Sequence, residues 1–150
     1  MRKNGFTLVE LLAVIAIIAI LSIMVAPNVI KTFNNTKKQN FVTETREVCR
    51  EASNKFIREN ILTVQETDYY KFGNDETHSL LLNGRSEFKY FVKVNTDGEV
   101  VGILTWDDTY TIKITNSNGI EPNNITDSDI VSGVDTTDMT VVKANNILSN

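Results

Sequence analysis

The chain has 150 residues with 15 basic and 19 acidic side chains, a formal charge of −4, and a single cysteine. That length holds one compact domain beside any membrane segment. The acid excess argues against nucleic acid as a partner of the whole surface, and one cysteine excludes an intrachain disulfide. With one histidine, no paired metal-ligand spacing, no glycine-rich phosphate loop and no nucleophile elbow, an enzyme finds little support, a dyad of Cys49 and His78 being set against the place of Cys49 in a packing stripe, and no cofactor is expected.

The first element begins after a short basic stretch, Met1-Arg2-Lys3-Asn4-Gly5. Phe6-Thr7-Leu8-Val9-Glu10 then opens the apolar run from Leu11 to Ala26. Phe6 to Ala26 is 21 residues, which as a helix is about 31 Å, the thickness of a bilayer's hydrocarbon core. Glu10 falls inside that span. An ionised acid there costs about 2.5 to 3.5 kcal/mol to insert, so its retention implies a partner. A secretory signal peptide fits poorly, because a cut after Ala26 puts Met24 where a small residue belongs and Pro27 just beyond it. A plain membrane anchor explains the length and apolarity but not Glu10, nor a glycine directly before Phe6. Charge does not orient the segment, since Arg2 and Lys3 on one side face Lys31, Lys37 and Lys38 on the other.

These residues resemble the type IV pilin and pseudopilin superfamily, through a class III-type signal in which Gly5 precedes Phe6-Thr7-Leu8-Val9-Glu10. The resemblance covers about the first 27 residues and implies a leader, residues 1–5, cut between Gly5 and Phe6 by a prepilin peptidase. It further implies N-methylation of Phe6 and a subunit-assembly role for Glu10, paired with the Phe6 amine of a neighbour. The family's helix-bending proline falls on Pro27. On this reading the chain is a structural subunit of a type IV pilus. Its helix sits single-pass in the cytoplasmic membrane, N-terminus inside, until an assembly platform polymerises it with other pilin subunits into an extracellular filament for adhesion, motility or biofilm formation. The alternative is a minor pilin or a pseudopilin of a type II secretion or DNA-uptake system. Cys49, being alone, departs from relatives that close a C-terminal disulfide and points to a Gram-positive-type pilin held by packing and hydrogen bonds.

Past the span, Pro27 should bend the helix, because a proline inside a helix removes a hydrogen bond and clashes with the preceding turn. Phe41, Val42, Thr45, Val48, Cys49, Ala52 and Phe56 then recur at three- and four-residue spacing, which predicts a buried stripe. Arg46, Glu47, Arg50, Glu51 and Arg58 lie opposite as a solvated face, with Glu51 set to pair with Lys55. Residues 6–26 thus form the membrane and assembly half of one helix and 27–62 its amphipathic half.

From residue 63 onward the composition turns to Thr, Asn, Asp and Gly with alternating apolar positions. The stretch from Thr63 to Arg85 has room for a short helix or an exposed loop. Phe88, Tyr90, Val92 and Val94 alternate with Lys89, Phe91 and Lys93, Asn95-Thr96-Asp97-Gly98 turns the chain into Val100–Trp106, and Tyr110, Ile112 and Ile114 supply another strand. Three or four antiparallel strands are expected, with the stripe from Phe41 to Phe56 as their cover. Val141, Val142, Ile147 and Leu148 read as a last edge strand. Asp127 and Asp129 are weak calcium candidates in an acidic loop that lacks a rigid loop signature. The predicted fold class is α+β, a long kinked N-terminal helix packed on a small antiparallel sheet that forms the head, residues 63–150.

Overall fold

A computed structural model describes residues 7–61, 67–73, 78–83 and 87–150. In chain order these form helix α1 (Leu8–Glu59), strands β1 (Asp68–Lys71), β2 (Lys89–Val94), β3 (Val100–Trp106) and β4 (Thr111–Thr115), then 3-10 turns at Pro122–Asn124 and Asp127–Asp129, strand β5 (Ile130–Val131) and helix α2 (Val141–Ser149). The sheet runs β1-β2-β3-β4-β5 with every pairing antiparallel. The α+β expectation holds. The chain divides into two compact units, Met1–Lys37 and Lys38–Asn150, with the division falling inside α1.

In the first unit, the described residues through Lys37 are all exposed. Pro27 lies inside α1, where its missing N–H leaves the carbonyl of Ile23 without the usual donor.

In the second unit, the residues of α1 that are buried are the seven of the predicted stripe, from Phe41 to Phe56. They pack on Tyr90, Val92, Val94, Ile103 and Ile112 of the sheet and on Ile125. Each large apolar side chain so buried is worth about 1.5–3 kcal/mol relative to exposure. Thr45 is fully buried in this layer, its hydroxyl bonded to the Phe41 carbonyl at 3.0 Å and to the Thr105 hydroxyl at 2.8 Å.

The opposite face of the sheet is also covered, which a sheet with one apolar face would not require. Phe91, Leu104 and Trp106 form a second core with Ala144 and Leu148 of α2. The C-terminal stretch expected as an edge strand is therefore a helix. Val141, Ala144 and Leu148 stand at helical spacing, and Thr140 caps the helix by accepting the Lys143 N–H at 3.2 Å. The helix approaches closely over Gly102, where a Cβ would lie 3.2 Å from the Leu148 side chain. Between 63 and 85, the described residues, 67–73 and 78–83, hold strand β1 and no helix, and the remainder of that stretch lies outside the described residues.

Two arginines of the solvated face of α1 also reach the segment after β4, Arg46 half-buried there and Arg50 still exposed as expected. Arg46 Nε donates to the Ile125 carbonyl at 2.9 Å, and Arg50 reaches Asn123 Oδ1 at 2.8 Å. Glu51 pairs with Arg58 rather than with Lys55. Lys55 reaches the Ser79 carbonyl at 2.9 Å and Glu59 at 3.6 Å. A backbone carbonyl out of water is a strong acceptor, so Arg46 and Lys55 turn to the carbonyls of Ile125 and Ser79, while Lys55 also keeps its contact with Glu59 one turn on.

Candidate functional site

Gly5 and Phe6, the expected cleavage and methylation residues, lie outside the described residues, as does the rest of the leader. The site begins at Thr7, directly before the first helical residue. Glu10 Oε2 accepts both the Thr7 backbone N–H and the Thr7 hydroxyl, each at 2.8 Å, while the Glu10 N–H donates to Thr7 Oγ1 at 3.3 Å. This is a reciprocal capping box, which satisfies donors that the first turn of a helix otherwise leaves open. Thr7-Leu8-Val9-Glu10 carries the Thr-x-x-Glu signature of that motif, so Glu10 has a partner inside the subunit as well as the one expected outside it. Both donors fall on one oxygen. Oε1 accepts no hydrogen bond among the described residues, so the carboxylate is half used.

From Leu8 to Phe33 the helix surface is open and largely apolar; Ile15, Ile18 and Leu21 are each more than half exposed. The two hydroxyls in this stretch turn back on the backbone. Ser22 donates to the Ile18 carbonyl at 2.8 Å and Thr32 to the Asn28 carbonyl at 2.9 Å. A hydroxyl satisfied within its own helix can enter hydrocarbon without an unmet hydrogen bond. Among the described residues one helix, α1, is long and apolar enough to cross a membrane, and none of its apolar window is buried in the chain.

The remaining candidates lie in the second unit. Asp129 Oδ2 accepts the Thr126 N–H at 2.7 Å and the Thr126 hydroxyl at 3.2 Å, capping its own 3-10 turn. Asp127 lies in the same turn and lines an open cleft of about 450 Å³ with Gln39, Val42, Thr43, Arg46 and Thr126. No group of three or more His, Cys, Asp or Glu among the described residues is placed to hold a metal ion. Cys49 is buried, and its thiol donates to the Ile120 carbonyl at 3.5 Å. Burial, reinforced by the charge of Glu121, pushes that thiol up to about 12, so it stays protonated and unreactive. His78 stacks on Tyr70 with ring centres 4.4 Å apart. The structure brings Thr7 and Glu10 together in the first unit, and Asp127 and Asp129 into one 3-10 turn in the second.

No curated protein and no solved structure matches the chain at a significant level. Residues 1–26 match the family model described as the prokaryotic N-terminal methylation motif. The chain therefore carries the class III signal peptide motif of type IV pilins, which marks a type IV pilin-like or pseudopilin precursor, on an apolar N-terminal helix able to span a membrane.

Proposed function

We propose that this chain is a structural subunit of a type IV pilus. A prepilin peptidase removes residues 1–5, Phe6 becomes the methylated N-terminus, and an assembly platform draws the subunit from the cytoplasmic membrane into an extracellular filament. The observation that carries this reading is the methylation motif over residues 1–26, heading a helix whose apolar surface is uncovered within the chain. An uncovered apolar helix needs lipid or other helices around it, and a subunit that exchanges one for the other has both in turn.

Glu10 supplies the register. With Oε2 spent on Thr7 and Oε1 unused among the described residues, the carboxylate keeps its cap and still has an oxygen for a cation. The Phe6 amine of an adjoining subunit supplies that cation. Breaking such a desolvated pair leaves an uncompensated charge, at a cost of about 3–5 kcal/mol. Pro27, lacking an N–H, lets the helix bend where apolar and polar halves meet. Glu10→Val is the test. It removes a charge that costs about 2.5–3.5 kcal/mol to insert, so a carboxylate that is merely tolerated would make the variant insert and assemble as well as the parent. A register residue predicts the opposite: stable, processed membrane protein with no filaments of its own, partly rescued by wild-type subunits. Normal filament numbers from the variant alone would refute the pairing.

A further inference from the structure

Between Glu10 and Glu44 the chain has no carboxylate, yet it places Lys31, Lys37 and Lys38 just beyond the apolar run. Lys31 and Lys38 form no ion pair among the described residues, and Lys37 Nζ sits 4.7 Å over the exposed Phe33 ring. Val29 and Ile30, 58% and 61% exposed, adjoin them, so the segment presents apolar side chains together with uncompensated positive charge. From Glu44 to the C-terminus the balance reverses, with ten basic against eighteen acidic side chains. The reversal is sharpest from residue 114 to 142, which holds Glu121, Asp127, Asp129, Asp135 and Asp138 and no cation. Within it Asp129 is engaged by Thr126 and Asp135 by Lys143 at 3.0 Å, whereas Asp127 and Asp138 are exposed and form no ion pair among the described residues.

We infer that the Lys31, Lys37 and Lys38 segment of one subunit docks against the carboxylates of residues 121–138, Asp127 and Asp138 foremost, on a second copy of this chain. The inference rests on the filament reading. Anionic lipid is the competing occupant, and length decides against it. Counting at about 1.5 Å per residue from Ala26, Lys31 lies about 7.5 Å beyond the hydrocarbon, whereas Lys37 and Lys38 lie about 16–18 Å beyond it, past a headgroup layer of about 5–7 Å. A filament also brings many acidic heads together, and their mutual repulsion is relieved where each meets a basic segment. Pairs at such a rim set salt dependence and register more than affinity.

The test uses full-length processed subunits, with the pelleted filament fraction followed from about 0.01 M to about 1 M NaCl, over which the Debye length falls from about 30 Å to about 3 Å. Wild-type filaments should lose subunits as salt rises. Filaments carrying Lys31→Gln, Lys37→Gln and Lys38→Gln together should be roughly three- to tenfold less abundant at low salt and lose that salt dependence, as expected for several weak exposed pairs. Changing the three lysines to Glu should be worse, and adding Asp127→Lys with Asp138→Lys should restore assembly. Wild-type filaments with triple-Gln filaments matching them at every salt concentration would overturn this inference alone. Processed, inserted wild-type protein that never pellets would overturn the filament reading and this inference with it. If the Gln changes altered retention in phosphatidylglycerol vesicles relative to phosphatidylcholine vesicles while leaving filaments unchanged, lipid would be the occupant and the inference would fall.

Discussion

Thr45 and Thr105 offer a measurement of how α1 is held to the sheet. Both are fully buried. Thr45 spends its one hydroxyl hydrogen on the Phe41 carbonyl at 3.0 Å, so in the 2.8 Å contact between the two hydroxyls Thr105 is the donor. Thr45→Val therefore leaves the Thr105 O–H without an acceptor and out of reach of water, at a cost of about 1–3 kcal/mol. Thr105→Val leaves Thr45 its bond to Phe41 and should cost less, about 0.5–1.5 kcal/mol, the net worth of one hydrogen bond. Replacing both puts two methyl groups where two hydroxyls met, and the double variant should lie within about 1 kcal/mol of the parent. Urea unfolding of residues 38–150, read as midpoint shifts at constant slope, measures all three. Additive losses in the double variant, or a Thr105→Val cost equal to that of Thr45→Val, would refute the assigned direction of the bond.

The mature protein should begin at Phe6 with one extra methyl on its amine, which intact-mass measurement reads directly; surface protein retaining Met1 to Gly5 would sink the pilin assignment. Residues 38–150 alone should be a soluble folded monomer by sedimentation, because both cores lie within that unit, and obligate oligomers would contradict this. Cys49 should resist thiol reagents at pH 8 in the folded protein and react at once in denaturant. Its raised pKa means that this contribution to stability is complete below about pH 9, where the unfolded thiol ionises, and declines as pH rises toward about 12.

Where the pattern is long, the sequence is explicit. The stripe from Phe41 to Phe56 runs through more than four helical turns, and all seven of its members are buried. Asn95 to Gly98 announces its turn because Gly98 adopts a φ of +88° that other residues avoid. Helix α2 is short, nine residues, and opens with two valines, so local propensity argues for a strand. The evidence for a cover on the second face stands elsewhere in the chain. In β2, Tyr90 and Val92 face one core and Phe91 the other; in β3, Ile103 faces the first, and Leu104 and Trp106 the second. Strands apolar in both phases call for cover on both sides, and α2 is the segment left to provide it.

The arginines and Glu10 were harder to place for a shared reason. Period locates apolar residues because burial is collective, whereas a charged side chain goes wherever one acceptor or donor waits, and that partner can lie far along the chain. Arg46 finds the carbonyl of Ile125, 79 positions away. Glu10 finds Thr7, three positions away, a partner legible as a capping motif although the apolar run beside it is the stronger signal. The two roles for Glu10 do not compete. A cap that uses one oxygen fixes the carboxylate's direction at the start of the helix, and a fixed carboxylate loses less freedom when a neighbour's amine arrives than a mobile one would. Thr7 therefore prepares the contact that Glu10 is proposed to make. It follows that a Thr7 variant should weaken assembly without abolishing it, whereas loss of Glu10 removes the charge itself.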